Sequence, residues 1–144
     1  MNIGLLNGPN LNMLGTREPS IYGTITLNEI VKKLEEIAKP NKIISYQSNI
    51  EGELVDFLQN AKEKNIEYII FNAAAYSHYS IAIRDAISLS NAKVIEVHIS
   101  NIYAREKFRH NSIISPVCIG CISGFGVDSY YIALNYIINK IKGI

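Results

Sequence analysis

The feature that most constrains this chain is an alternation. Short apolar runs, too brief for helices, take turns with longer stretches whose apolar residues recur at helical spacing. The short runs are Ile3 to Asn7, Lys42 to Gln47, Tyr68 to Asn72, Lys93 to His98 and Val117 to Ile122. Most are rich in Ile and Val without polar alternation, as expected of strands covered on both faces. Between them, Thr26 and Glu29 form a T-x-x-E capping box ahead of Leu27, Ile30, Val31, Leu34 and Ile37. A second helix is expected from about Glu51 to Lys64, with Leu54, Val55, Leu58 and Ala61 inward. A third, from about Ser80 to Leu89, turns Ala82, Ile83, Ala86 and Ile87 inward. Val127, Tyr130, Tyr131, Leu134, Ile137, Ile138 and Ile141 hold the i, i+3, i+4, i+7 pattern of a last helix.

Strands and helices in this order predict an α/β fold: a flavodoxin-like, doubly wound, five-stranded parallel sheet of order 2-1-3-4-5 with helices on both faces. The order rests on analogy with other open sheets; the alternation is read from the chain itself. No repeat or linker interrupts it, so residues 1–144 are expected to form a single catalytic domain.

Charge excludes some functions. Fourteen basic and thirteen acidic residues leave a net charge of +1, with no electrostatic footprint for nucleic acid or an anionic membrane. No apolar run approaches the roughly 20 residues of a membrane helix. The first residues, MNIGLLNGPN, lack the basic and apolar segments of an export signal, so a cytoplasmic protein is expected. Cys118 and Cys121 stand in C-x-x-C spacing inside an expected strand rather than at a helix start, and no second pair completes a four-ligand zinc site. Two core cysteines are expected.

Open α/β sheets bind ligands beyond the carboxyl ends of their strands. Here those ends are polar: Asn7 with Asn10 and Asn12, Gln47-Ser48-Asn49, Asn72 running to His78, and His98-Ile99-Ser100-Asn101. One such cluster is an ordinary turn; four around one crevice suit a polyol or carboxylate ligand. The stretch from Gly8 to Ile25 has no helical or strand period and carries Arg17 and Tyr22 between Gly15 and Gly23, which reads as a lid over that crevice. Glu96 lies two residues before His98 on the same strand face, the arrangement that orients a histidine for acid–base work. Asp85 sits seven residues beyond His78, sharing a face with it only if the helix starts early; otherwise it is a solvated charge beside Arg84. The stretch from Arg105 to His110 is an exposed basic turn, or an anion clamp if Arg109 points inward. The histidines lack metal-ligand spacing, and Gly124-Phe125-Gly126 lacks the third glycine of a dinucleotide fingerprint, so neither a metal nor a nucleotide is expected.

The blocks NGPNLNMLGTREPSIYG, QSNIEGELVDF, AYSHYSIAIRDA, EVHISNIYAREKFRH and GFGVDSYYIAL, in this order and spacing, resemble the type II 3-dehydroquinate dehydratases over nearly the whole chain. The resemblance implies a cofactor-free lyase that converts 3-dehydroquinate to 3-dehydroshikimate, in the shikimate pathway or in quinate breakdown. It also implies a homo-oligomer, a dodecamer built from trimers. Carried over, Tyr22 resembles the base that takes the proton α to the ketone, and Arg17 the cation that holds it as a phenolate. Asn12 matches the residue that positions a water at the enolate oxygen. His98, oriented by Glu96, resembles the acid that protonates the departing hydroxyl. Asn72, His78 and Arg109 match substrate-hydroxyl ligands, the amides of Ile99 and Ser100 a carboxylate cradle, and Asp85 an acid reaching in from a neighbouring subunit.

A phenol with a pKa near 10 is a poor base at neutral pH until a nearby cation favours its charged form. One departure is visible: Ala73-Ala74 stands after Asn72 where the family usually has Pro-Gly, which puts the turn toward His78 in question. Two other readings compete. A non-catalytic flavodoxin-like binding module has no need of Arg17 and Tyr22 in a glycine-bounded lid, and a metal-dependent hydrolase lacks its ligand spacing.

Overall fold

The computed structural model describes residues 1–16, 20 and 23–144, so Arg17 and Tyr22 lie outside the described residues. Five parallel strands, β1 (Asn2–Asn7), β2 (Lys42–Gln47), β3 (Ile66–Asn72), β4 (Lys93–His98) and β5 (Gly120–Ser123), lie in the order β2-β1-β3-β4-β5. The expected topology is the observed one. Helices α1 (Leu27–Ala38) and α4 (Asp128–Ile141) cover one face, and α2 (Glu51–Gln59) and α3 (Ile81–Leu89) the other.

The two-residue pleat explains both cores. Ile3, Leu5, Ile70, Ile95 and Val97 point to one side and pack on Ile30, Leu34, Tyr130, Leu134 and Ile137. Leu6, Ile69, Phe71 and Val94 point to the other and meet Leu54, Phe57, Leu58, Ile83 and Ile87. Full burial of such a side chain contributes about 1.5–3 kcal/mol, so the central strands hold both layers. Thr26 caps α1, its hydroxyl accepting from the Glu29 amide at 3.2 Å. Ser80 caps α3 in the same way, accepting from Ile83 at 3.0 Å.

Several expectations are corrected. β5 begins at Gly120, not Val117, because Ser115–Val117 forms a 3-10 turn in which the Val117 and Cys118 N–H groups donate to the Ile114 and Ser115 carbonyls at 3.0 and 3.1 Å instead of to a ladder. Of the two cysteines only Cys121 leaves the core, exposed on the edge strand, while Cys118 precedes the strand half-buried and packs against the second core. Burial pushes their thiols up to about 12 and about 11, the reverse of a redox pair. Coverage on both faces holds for β1, β3 and β4 but fails for the edge strands β2 and β5. α2 stops at Gln59, since beyond it only Ala61 offers apolar surface before Asn65 turns with φ 54°. Ile37 on α1 and Ala82 on α3 face solvent rather than the core. The segment after Gly8 is not structureless: Leu11–Met13 is a 3-10 turn, and Leu11 and Leu14 sit in the first core. Among the described residues, no helix is long and apolar enough to cross a membrane.

Candidate active site

The chain order reverses beside β1, where β2 lies on one side and β3 on the other. Loops leaving β1 and β3 must diverge there, and a crevice opens between them. Backbone bonds extend both ladders to its edge: Gly8 N–H donates to the Asn72 carbonyl at 2.8 Å and Ser48 N–H to the Asn7 carbonyl at 3.1 Å. Gly8 has no alternative here, for a Cβ would stand 2.6 Å from the Ala73 carbonyl oxygen.

A solvent-open cleft of about 660 Å³ occupies this place. From β3 it takes Asn72 and, past the turn, His78; from β4 it takes His98, Ile99 and Ser100. Arg105 and Arg109 close one side, brought there by the 3-10 turns Ile102–Ala104 and Lys107–Arg109. Of the expected substrate ligands, Asn72, His78, Ile99, Ser100 and Arg109 all line the cleft.

Asn12 does not. It is exposed in the 3-10 turn, while Asn10, at φ 69°, lines the cleft with Leu11 and Leu14. Asp85 is exposed on α3 and is also absent from the lining. Nor does it share a face with His78, because a 3-10 turn, Ala74–His78, ends before α3 begins at Ile81.

The Glu96–His98 pair is the electrostatic centre. Glu96 is wholly buried and His98 is 5 % exposed. His98 Nε2 makes a short hydrogen bond to Glu96 Oε2, Ser112 Oγ donates to the same oxygen at 2.6 Å, and Ser115 Oγ donates to Oε1. Burial by itself raises the Glu96 carboxyl, yet the bond and charge of His98 and the two serines hold it below the usual carboxylate range. His98 is thus seated on an ionised carboxylate and faces the cleft.

His78 is set differently. Its Nδ1–H donates to the Asn111 carbonyl at 2.9 Å, which leaves Nε2 as the acceptor of a neutral ring. Burial lowers its pKa, keeping that form. Its ring stacks on His98 with centroids 6.1 Å apart. Arg109 is paired with Glu106, and Arg105 reaches Glu106 at 3.7 Å and Ser100 Oγ at 3.5 Å. Two guanidinium groups beside a strand end suit a carboxylate ligand.

The sequence placed Asn10 in the polar ring but gave the ligand role to Asn12, and it assigned no role to Arg105, Ser112 or Ser115. Of the last three, only Arg105 carried a signal, its place in the basic stretch before His110. As for a metal, Glu96, His98 and Cys121 bring candidate ligand atoms within 4.8 Å of one another. Both Glu96 oxygens already accept hydrogen bonds, so a cation there would have to displace the His98 contact.

The turn after Asn72 shows what Ala73-Ala74 does. Ala74 adopts φ +52°, the left-handed region that favours glycine, while its N–H donates to Asn72 Oδ1 at 3.1 Å. The turn keeps its shape without glycine, at a cost. Ala74→Gly is expected to raise stability by about 1 kcal/mol, from a left-handed penalty of roughly 1–2 less glycine's extra unfolded freedom of roughly 0.4–1. A urea midpoint that rises with an unchanged slope checks this; a fall would show that Ala74 is not strained.

The sequence model of the family described as "Dehydroquinase class II" matches residues 1–138. The chain belongs to this family. Among relatives of the class II dehydroquinases, a "3-dehydroquinate dehydratase" of Trichodesmium erythraeum is 53% identical over 143 residues, covering 98% of this chain and 95% of the relative. One from Clostridium perfringens is 48% identical over 144 residues, 99% of this chain and all of its own length. The crystal structure of a type II dehydroquinase from Butyrivibrio crossotus superposes with a TM-score of 0.91 at 45% identity, covering 95% of this chain and 97% of that one. Another, from Propionibacterium acnes, gives 0.90 at 41%, with 94% of each chain covered.

Proposed function

We propose that this class II dehydroquinase removes water from 3-dehydroquinate to give 3-dehydroshikimate, without a cofactor, by anti elimination through an enolate. The observation that carries the reading is the Glu96–His98 pair, buried below a cleft whose other groups suit a hydroxylated carboxylate. The proton α to the ketone goes to Tyr22, which Arg17 holds in its charged form. Negative charge then moves to the ketone oxygen, where an asparagine and a water steady it; the cleft geometry favours Asn10 for this over Asn12. His98 gives its proton to the departing β-hydroxyl, which leaves as water, and Glu96 steadies the ring throughout. Asn72, His78 and Arg109 hold substrate oxygens, with Ile99 and Ser100 offering amides to the carboxylate. The product feeds aromatic amino-acid biosynthesis through the shikimate pathway, in the cytoplasm.

Asp85 belongs to a neighbour's site in this account, within a homo-oligomer of dodecamer type. Ile81, Asp85 and Leu89 fall four apart on one face of α3, and the two apolar residues are 66% and 76% exposed. A carboxylate between two uncovered aliphatic groups suits a protein interface better than water.

Because side chains supply both acid and base, turnover of 3-dehydroquinate is expected to survive exhaustive dialysis against a strong chelator. Activity lost on chelation and restored by zinc would instead favour a metal-dependent hydrolase. Borohydride added with substrate is expected to add no mass, since among the described residues no lysine lines the cleft.

A further inference from the structure

Tyr130 heads the fully buried side chains by size and comes from α4, far along the chain from the cleft residues. Its hydroxyl nevertheless ends between β1 and β3. It donates to Asn7 Oδ1 at 2.6 Å and accepts from Asn72 Nδ2 at 2.9 Å. Asn7 is wholly buried and Asn72 is 3% exposed, so water competes with neither bond. Burial pushes the Tyr130 phenol up, which keeps its proton in place.

Proton bookkeeping then fixes an orientation. A hydroxyl has one proton, an amide oxygen only accepts, and an amide nitrogen only donates. With the Tyr130 proton given to Asn7, the lone pair toward Asn72 must meet an N–H. The other side of the Asn72 amide carries the complementary demand, since the Ala74 N–H donates to its Oδ1 at 3.1 Å. Flipping the amide would break both contacts, setting oxygen against oxygen and N–H against N–H. Asn7 is held from its oxygen side only, as its Nδ2 has no partner among the described residues. Among the described residues, one Nδ2 hydrogen of Asn72 has no partner, and Asn72 lines the cleft.

We propose that Tyr130 is a positioning residue that acts through Asn72, pinning its amide so that a donor rather than an acceptor faces the substrate. The cleft thereby selects an acceptor oxygen at that point of the ring. A ligand without that oxygen leaves a desolvated N–H unpaired, the strongest form of discrimination available to a small site. This inference rests on Asn72 being a substrate ligand, as proposed above.

The experiment compares wild type, Tyr130→Phe, Asn72→Ala and the double variant on 3-dehydroquinate and its monodeoxy analogues. Phe keeps the ring that fills the core and removes only the oxygen. Tyr130→Phe is expected to raise KM more than it lowers kcat. For one analogue it should reduce discrimination against the missing hydroxyl by at least about tenfold. In the Asn72→Ala background it should change neither quantity further. A folded Tyr130→Phe with unchanged discrimination, or with effects that add to those of Asn72→Ala, overturns the proposal. Hydrogen exchange of the Asn72 side chain in the wild-type protein needs no variant to fold. One Nδ2 hydrogen is expected to be protected by Tyr130 and the other to exchange through the cleft; equal rates overturn the proposal. A wild type inert toward 3-dehydroquinate would count against the dehydratase reading, and the exchange rates would still decide the orientation.

Discussion

His98→Asn is expected to lower turnover of 3-dehydroquinate by roughly two to four orders of magnitude, the range for a positioned general acid. Hydroxide is a poor leaving group, so elimination stalls unless a proton reaches the departing oxygen. Among the described residues, His98 alone combines a place in the cleft lining with an imidazole ring and a fixed carboxylate behind it. His78 is no substitute: its Nδ1–H is spent on the Asn111 carbonyl and burial favours its neutral form. Binding should survive better than turnover, because Asn72, His78 and Arg109 remain. Steady-state kinetics and product affinity separate the two effects. Near-normal turnover in His98→Asn would show that the proton comes from elsewhere.

Tyr22→Phe is expected to be as severe, again roughly 10²–10⁴-fold in turnover. It removes the oxygen that takes the substrate proton, and Arg17→Ala removes the charge that makes that oxygen basic. Between Gly15 and Gly23 the sequence has no apolar period, so neither change should move stability beyond about ±0.5 kcal/mol. The two losses should be far from additive, as for residues that act as one unit. Arg17→Lys should rescue only in part, since an ammonium keeps the charge and loses the planar fork. Near-normal turnover in Tyr22→Phe would remove the base assignment.

Much of the site was legible because sheet topology converts chain position into place. Asn72, His98, Ile99 and Ser100 end strands or follow them directly, so a correct strand reading delivered them to one edge. Glu96 and His98 were legible from the two-residue pleat alone. What failed were residues placed by irregular turns. Asn10 and Asn12 are two apart in a loop, and only the left-handed φ of Asn10 and the 3-10 turn after it decide which one faces the cleft. Arg105 depends on two more 3-10 turns. Ser112 and Ser115 reach back 16 and 19 residues to Glu96, a contact that no local pattern announces. The fifth strand was drawn too early because its apolar content hid a 3-10 turn whose carbonyls take the Val117 and Cys118 N–H groups. Cys121 was placed in the core because an edge strand was read as covered on both faces.

The central claim is tested most directly by following conjugated-enone absorbance after 3-dehydroquinate is mixed with purified protein, wild type beside His98→Asn and Tyr22→Phe at matched concentrations of folded chain. A rise with catalytic turnover is expected in the wild type and almost none in either variant. A folded wild type that leaves the absorbance flat, or variants that match its rate, would contradict it.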